Sequence, residues 1–218
     1  MNPISAASDR EVRIETWKDA NGAGDVDTLA AVLRACVHAG ASVSFVLPFS
    51  HLDAKAFWSG QVLPEVAAGN RRLLVARSGR NIVGTVQLDL ATPPNQPHRA
   101  EVKKLLVRPD ARRRGIARSL MAAVEVEALQ ARRTLLTLDT VTGGVAQQLY
   151  LSLGYLVVGV IPGYALNFDS SVLESTTVMY KNLSSHDPAI ATSGGRGPIY
   201  ATLRGPTAFF RFPRPAEG

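Results

Sequence analysis

The stretch from Leu105 to Gln130 constrains the fold most, because it reads as a strand, a basic turn and a long helix in immediate succession. Leu105-Leu106-Val107 leads into Arg108-Pro109, and Pro109 cannot continue a hydrogen-bond ladder. Arg112-Arg113-Arg114-Gly115-Ile116-Ala117 follows, and Ile116–Ala131 then carries Leu120, Met121, Val124, Ala128 and Leu129 on one side, at helical spacing. The first main-chain N–H groups of a helix have no partner within it, and the helix dipole adds positive potential at that end. A helix start of this kind is therefore an anion site. Gly115 leaves out a side chain that would obstruct a ligand, and Ala117 is the next smallest choice. The segment lacks the Lys-Ser/Thr ending of a nucleotide P-loop and the G-x-G-x-x-G of a dinucleotide fold. Its plainer reading is a glycine-containing helix cap beside a solvated basic loop.

Charge narrows the choice. The chain carries a formal net charge of +6, and residues 108–118 hold five arginines (Arg108, Arg112, Arg113, Arg114 and Arg118) against Asp110 alone. A DNA reader more often spreads its cations over a groove-sized face, interleaved with base-reading side chains. A short cationic turn at a helix start suits a small polyphosphate better, so no nucleic-acid partner is expected. The single cysteine, Cys36, excludes an internal disulfide and any cysteine-based zinc site, and its helical spacing puts it in the core. His38, His51, His98 and His186 are too scattered to form a ligand cluster, and no metal is expected. The longest apolar stretch, Leu29–Phe49, is broken by Arg34, His38 and Pro48, so no membrane span is expected. Residues 1–10 lack an apolar core and read as a disordered polar terminus rather than a signal peptide. These features describe a soluble, cytoplasmic protein.

Patterning elsewhere predicts a strand at Val12–Thr16, a helix over Asp27–Ala39 stopped by Gly40, and an irregular apolar segment over Gly40–Phe49. Helical pieces are expected at Leu52–Gly60 and Val62–Ala68. A hairpin follows, with Arg72–Arg77 and Ile82–Leu90 flanking the polar turn Ser78-Gly79-Arg80-Asn81. Three prolines make Ala91–His98 a loop. Strands are predicted at Glu101–Val107, Thr134–Thr140, Tyr155–Ile161 and Thr176–Lys181, with a short helix Val145–Leu153 ended by Gly154. Residues 184–218 hold five of the 13 prolines and five glycines, with no periodic apolar pattern, and read as a flexible tail. The expected organisation is a disordered stretch over 1–10, one α/β domain over 11–183, and the tail.

The strand, Arg112-x-x-Gly115-x-Ala117 and the helix together resemble the GNAT superfamily of acyl-CoA-dependent N-acetyltransferases, whose pattern is Arg/Gln-x-x-Gly-x-Gly/Ala. A second family stretch follows at the right distance, Ala146-Gln-Gln-Leu149-Tyr150-Leu-Ser-Leu153-Gly154-Tyr155. The chain resembles most the tabtoxin-resistance type of acetyltransferase. That likeness is carried by Gly40–Phe45, Arg99–Leu105, Leu138-Asp139-Thr140 and Pro162-Gly163-Tyr164, and it covers about residues 25–183.

The resemblance implies a central mixed, mostly antiparallel sheet of six or seven strands flanked by helices, with a V-shaped split between strands 4 and 5. Acetyl-CoA would lie in that split as cosubstrate. Leu105, Leu106 and Val107 would offer main-chain groups to the pantetheine arm and acetyl carbonyl. Arg112 would flank the pyrophosphate, and Arg113, Arg114, Gly115, Ile116, Ala117, Arg118 and Ser119 would hold it. Many members carry an Asn seven residues before the family tyrosine, where this chain has Gly143, so one side-chain contact to the cofactor is lost. Tyr150 would protonate the departing thiolate, and Glu101 or Asp139 would deprotonate the attacking amine, directly or through water. The competing readings are a core tyrosine for Tyr150, and substrate binding or pairing with Lys103 or Lys104 for the carboxylates. The implied partner is a small-molecule amine, such as a tabtoxin-like antibiotic or an amino-acid derivative, and the chain would be a monomer or homodimer. A peptide or protein N-acetyltransferase and a non-catalytic acyl-CoA sensor are the alternatives.

Overall fold

Segments rich in apolar and β-branched residues give seven strands, β1 (Val12–Thr16), β2 (Arg71–Ser78), β3 (Asn81–Asp89), β4 (Arg99–Val107), β5 (Leu135–Val141), β6 (Leu156–Leu166) and β7 (Leu173–Asn182), in one sheet ordered β1-β2-β3-β4-β5-β7-β6. The computed structural model describes residues 11–18 and 23–184; the sequence-predicted N-terminal stretch 1–10 and all but the first residue of the tail lie outside them. Every neighbouring pair is antiparallel except β4 and β5, which run parallel and are joined by the helix α4 (Ile116–Gln130). This is the mixed seven-stranded sheet that the resemblance implies.

The period of two along β2 sends Leu73 and Val75 to one face and Leu74 and Ala76 to the other. The first face is covered by α1 (Ala23–His38) through Leu29, Leu33, Cys36 and Val37, and by α2 (His51–Phe57), with Trp58 fully enclosed. The second is covered by α4 through Ile116, Leu120, Met121, Val124 and Ala128, and by Tyr150 of α5 (Val145–Ser152). The sheet thus holds one core on each side, as expected when helices cover both faces. Among the described residues no helix is long and apolar enough to cross a membrane.

Three differences from the sequence reading have local causes. Helix α1 begins at Ala23 rather than Asp27, since buried Asp25 in its first turn accepts hydrogen bonds from Trp17 Nε1 (3.1 Å) and from both terminal nitrogens of Arg77 (2.9 and 3.0 Å). The two helical pieces after Phe49 are not separated; α2 runs through a π-helical turn, Trp58–Val62, into α3 (Leu63–Ala67). Strand β6 does not stop at Ile161. It passes through Pro162-Gly163-Tyr164 as a bulge, for its register to β7 shifts between Ile161 and Ala165, and an edge strand tolerates the proline.

Gly84 on β3 sits where β4 and α4 close on the sheet. A Cβ there would lie 2.9 Å from the Leu106 carbonyl oxygen, 3.3 Å from Leu120 and 3.4 Å from Ile116. The missing side chain lets the first turns of α4 rest directly on the strand. Gly84→Ala is expected to destabilise the fold by about 1–3 kcal/mol through overpacking against a backbone atom that cannot swing away. Urea unfolding would show this as a lower midpoint with unchanged slope; an unchanged midpoint would mean that the strand yields freely.

Candidate active site

The parallel ladder between β4 and β5 is short. It joins Arg99 to Leu135, Ala100 to Leu136 and Glu101 to Thr137, and then ends. Past Glu101 the main-chain groups of β4 that face β5 have no strand opposite them. The strands part because β4 carries an extra residue against β3. Thr85 pairs with Leu106 and Gln87 with Lys103, so two β4 residues, Lys104 and Leu105, stand opposite Val86. Lys104 takes a left-handed backbone (φ 51°), and its carbonyl accepts a hydrogen bond from Thr85 Oγ1 (3.3 Å). A bulge of this kind bends and twists its strand, here away from β5.

A cavity of about 580 Å³ opens in the split. Glu101 to Leu105 line one wall and Asp139 to Val141 the other. Tyr150 and Ala146 of α5, the irregular segment Ser42–Val46, the end of β6 from Tyr164 to Leu166, and Glu174 to Thr176 of β7 complete it. The structure therefore brings Glu101, Asp139, Tyr150 and Leu105 to one place. Leu106 and Val107 lie further along β4, outside the lining. The Leu106 side chain is in the core, and the Val107 carbonyl already accepts from Arg112 Nε (3.1 Å) and Cys36 Sγ (3.4 Å). Cys36 is a buried core thiol, as its spacing predicts, and burial raises its pKa.

Glu101 is half-buried and pairs with Lys103 (3.2 Å), which also bridges to Asp89 (3.0 Å). Asp139 is exposed to the cavity, with one oxygen accepting from Thr176 Oγ1 (3.1 Å). Tyr150 is buried among core residues, but its hydroxyl has no hydrogen-bond partner among the described residues. Burial first, and the Asp139 charge second, push its pKa far above the ordinary phenol value. Tyr155, whose ring lies 5.7 Å from that of Tyr150, is raised as well, by burial and then by Glu125.

Sequence reasoning gave Lys104 no role beyond pairing with a carboxylate, and the structure puts it in the cavity wall. Its Nζ donates to the Val43 carbonyl (2.8 Å) and to Ser44 Oγ (2.9 Å). The signal was a second lysine inside an otherwise alternating strand, but its direction depends on the bulge, which no pattern marks. Burial lowers the pKa of this lysine to about 8.

The basic turn lies at the start of α4. Gly115 occupies the N-cap position with φ 78°, Arg113 is also left-handed (φ 63°), and no side chain caps the helix. The main-chain N–H groups of the first turn are thus left for a ligand, in a turn that left-handed Arg113 and Gly115, on either side of Arg114, curl as in known anion-binding concavities. A Cβ on Gly115 would meet no protein atom within 4 Å, so packing against the protein does not call for glycine here, while the positive φ disfavours other residues. Several arginines are also engaged. Arg108 forks onto Asp110 (2.6 and 2.9 Å), Arg112 turns back to Val107, and Arg118 reaches Ser152 Oγ (2.8 Å). Arg114, Ile116 and Ser119 line a separate recess of about 250 Å³ beside Val12 and Ile14. Gly143, where many GNAT proteins have Asn, is likewise left-handed (φ 76°). Asn and Gly are the two residues that tolerate that conformation best, so the turn survives the exchange while the side-chain amide is lost.

A sheet split at a parallel pair, a bulged strand at the split and an uncapped helix start beyond it define an acyltransferase of the GNAT type. The family model for an acetyltransferase (GNAT) domain matches residues 69–157. A curated relative, the uncharacterized N-acetyltransferase of the hisH-hisA intergenic region of Azospirillum brasilense, is 35% identical over 130 residues, which are 58% of this chain and 72% of the relative. Among solved structures, YncA of Salmonella typhimurium, described as an acetyltransferase and solved with its cofactor acetyl-CoA, superposes with a TM-score of 0.64 at 17% identity, over 80% of this chain and 95% of that one. The ribosomal-protein-alanine N-acetyltransferase of Brucella melitensis also gives 0.64, at 21% identity, over 78% and 99%. The chain belongs to the GNAT acetyltransferase family, a family of acyl-CoA-dependent transferases.

The raised pKa of Tyr150 has a measurable consequence. An unfolded chain releases a phenol proton near pH ~10, whereas the folded chain retains this one, so the folded state binds more protons above that pH and stability falls as pH rises further. The 295 nm difference between wild type and Tyr150→Phe is expected to stay flat up to about pH 11 and to change only on unfolding. A step near pH ~10 in the folded protein would mean that the phenol titrates as in water.

Proposed function

We propose that this chain transfers an acetyl group from acetyl-CoA to the amine of a small molecule by direct attack, without a covalent enzyme intermediate. The observation that carries the reading is the meeting of Tyr150, Glu101 and Asp139 in the one cavity where β4 and β5 separate. Acetyl-CoA supplies an activated acyl carbon and a thiolate leaving group. The uncapped start of α4, through the main chain of Arg113–Ser119, would hold the pyrophosphate, and the open edge of β4 near Leu105 would hold the pantetheine arm and acyl oxygen. The fit is favourable because Gly115 and Arg113 curl the main chain at a helix start that has no side-chain cap.

Two proton movements are needed. An alkylammonium has a pKa of roughly 10 and cannot attack until it is deprotonated, while a departing thiolate with a pKa of roughly 8.5 leaves more readily when it receives a proton. Glu101, half-buried on β4, takes the amine proton directly or through water, and Asp139 across the cavity holds the ammonium beforehand. Tyr150 gives its proton to the sulfur. Its hydroxyl is protonated throughout the neutral range, and no group among the described residues shares that proton in a hydrogen bond. The cavity must also take the acyl end of the cosubstrate, so it favours a compact acceptor, in keeping with a tabtoxin-like antibiotic or an amino-acid derivative.

Tyr150→Phe is expected to keep acetyl-CoA binding and to lower turnover at least about tenfold. Gly115→Glu, which places bulk and negative charge at the anion site on a strained backbone, is expected to abolish binding. Calorimetry with acetyl-CoA and a thiol-release assay over a panel of amines test both. Undiminished turnover in Tyr150→Phe removes the tyrosine from the mechanism, and undiminished affinity in Gly115→Glu moves the cosubstrate elsewhere.

A further inference from the structure

Two lysines border the main cavity, and their surroundings differ. Lys103 has two carboxylates in contact, Asp89 at 3.0 Å and Glu101 at 3.2 Å. Lys104 has none: among the described residues no carboxylate oxygen comes within 4.0 Å of its Nζ. Its partners are a carbonyl and a hydroxyl, those of Val43 and Ser44, and the rings of Phe45 and Phe57 stand 5.5 and 6.0 Å away. An ammonium has three donors, so one N–H remains unused. The fold holds this half-buried cation without a neutralising partner, and it uses a left-handed backbone to put it there. A staple for the Ser42–Val46 segment needs donors but no charge. A charge kept uncompensated in a cavity wall is what an anionic part of a ligand completes.

We infer that Lys104 determines acceptor specificity by binding a carboxylate of the substrate, so that the preferred acceptors are amino acids and amino-acid-like zwitterions. The inference rests on the acetyl-transfer reading above. The cavity offers negative charge at Glu101, Asp139 and Glu174 and positive charge at Lys103 and Lys104, of which Lys103 is already paired with carboxylates, and this is the complement of a molecule with an amine and a carboxylate a few bonds apart. The bulge that aims Lys104 into the cavity is also the feature that opens the split, so acceptor recognition and the acyl site are built on the same strand. Glu101 and Lys103 on β4, Asp139 on β5 and Arg71 on β2 are the charged groups that act on Lys104. The two carboxylates favour its charged form and the two cations oppose it, while burial dominates and brings its titration to about 8.

N-acetylated products test this without requiring turnover, because they carry no titrating amine. With the protein saturated in CoA, calorimetry would compare N-acetyl amino acids having small, apolar and charged side chains with the corresponding N-acetyl amino-acid amides. At pH 7 the acids are expected to bind at least about tenfold more tightly than the amides, as for a hydrogen bond to a charged group. That advantage should decline as pH rises through about 8. Lys104→Met should erase it, and so should Lys104→Gln, which keeps a donor for Val43 and Ser44 but no charge; Lys104→Arg should retain part of it. Equal binding of acids and amides by the wild type overturns the inference, as do failure of the whole panel to bind and an advantage that survives both neutral variants. Release of CoA with amines is read separately. Turnover without any carboxylate preference would sink this inference and leave acetyl transfer standing, whereas carboxylate binding with no amine ever acetylated would sink acetyl transfer itself.

Discussion

Two parallel strands that pair over three residues and then diverge determine the rest of this structure. A parallel pair left to itself continues until one strand ends, and β4 and β5 both have residues to spare beyond Glu101 and Thr137. What separates them is the added residue at Lys104–Leu105, accommodated on the β3 side, which turns β4 through a local twist that β5 does not share. The unpaired edge would be a liability in most sheets, since open N–H and C=O groups invite further pairing. Here it faces a cavity roofed by α5 and by the Ser42–Val46 segment, so the edge is shielded from another strand while remaining open to an extended ligand.

Keeping a non-glycine residue at positive φ costs about 1 kcal/mol or somewhat more, and the surroundings of Lys104 show what sustains it. Thr85 bonds the carbonyl, Val43 and Ser44 take the ammonium, and the rings of Phe45 and Phe57 face that ammonium. The same contacts tie the irregular segment after α1 to the middle of the sheet. Opening the edge of β4, shaping the cavity wall and ordering that segment are therefore one structural event. On the opposite side of β4, Gly84 allows α4 to approach until its first turn is fixed relative to the strand. The distance between the anion site and the cavity is set by that close contact, with no long loop intervening.

The element types were legible in the sequence because local signals were clean. The β-rich runs of β2 and β3 around a polar turn, the four-residue rhythm of Leu120, Met121, Val124 and Ala128, and the Gly-Gly break before Val145 each fix an element within a few residues. The basic turn was legible too, since charge, glycine and a following helix coincide at residues 112–117. Illegible features were those that depend on register. Nothing in Glu101-Val102-Lys103-Lys104-Leu105 tells a reader that one residue is extra, yet that residue decides whether Lys104 faces the cavity. The same holds at Pro162-Gly163-Tyr164, which looks like a strand end and proves to be a bulge that brings Tyr164 to the cavity. The left-handed backbone at Gly115 was also out of reach, because spacing marks a glycine at a helix start without giving its backbone angle.

The arginine cluster shows how composition can overstate a binding surface. A local excess of four positive charges suggests a broad anion patch, but Arg108 is satisfied by Asp110, Arg112 supports the end of β4, and Arg118 crosses to α5. These side chains brace the turn from three directions. The donors left at the helix start belong to the main chain, and their placement is better controlled than that of flexible guanidinium groups. Electrostatic attraction from the cluster survives in either case, because a Coulomb field does not require contact, though salt screens it beyond roughly 10 Å. Precision at the anion site and attraction toward it thus come from different atoms. In the proposed reaction the basic residues would draw the polyphosphate in, and Gly115 with the first turn of α4 would set where it comes to rest.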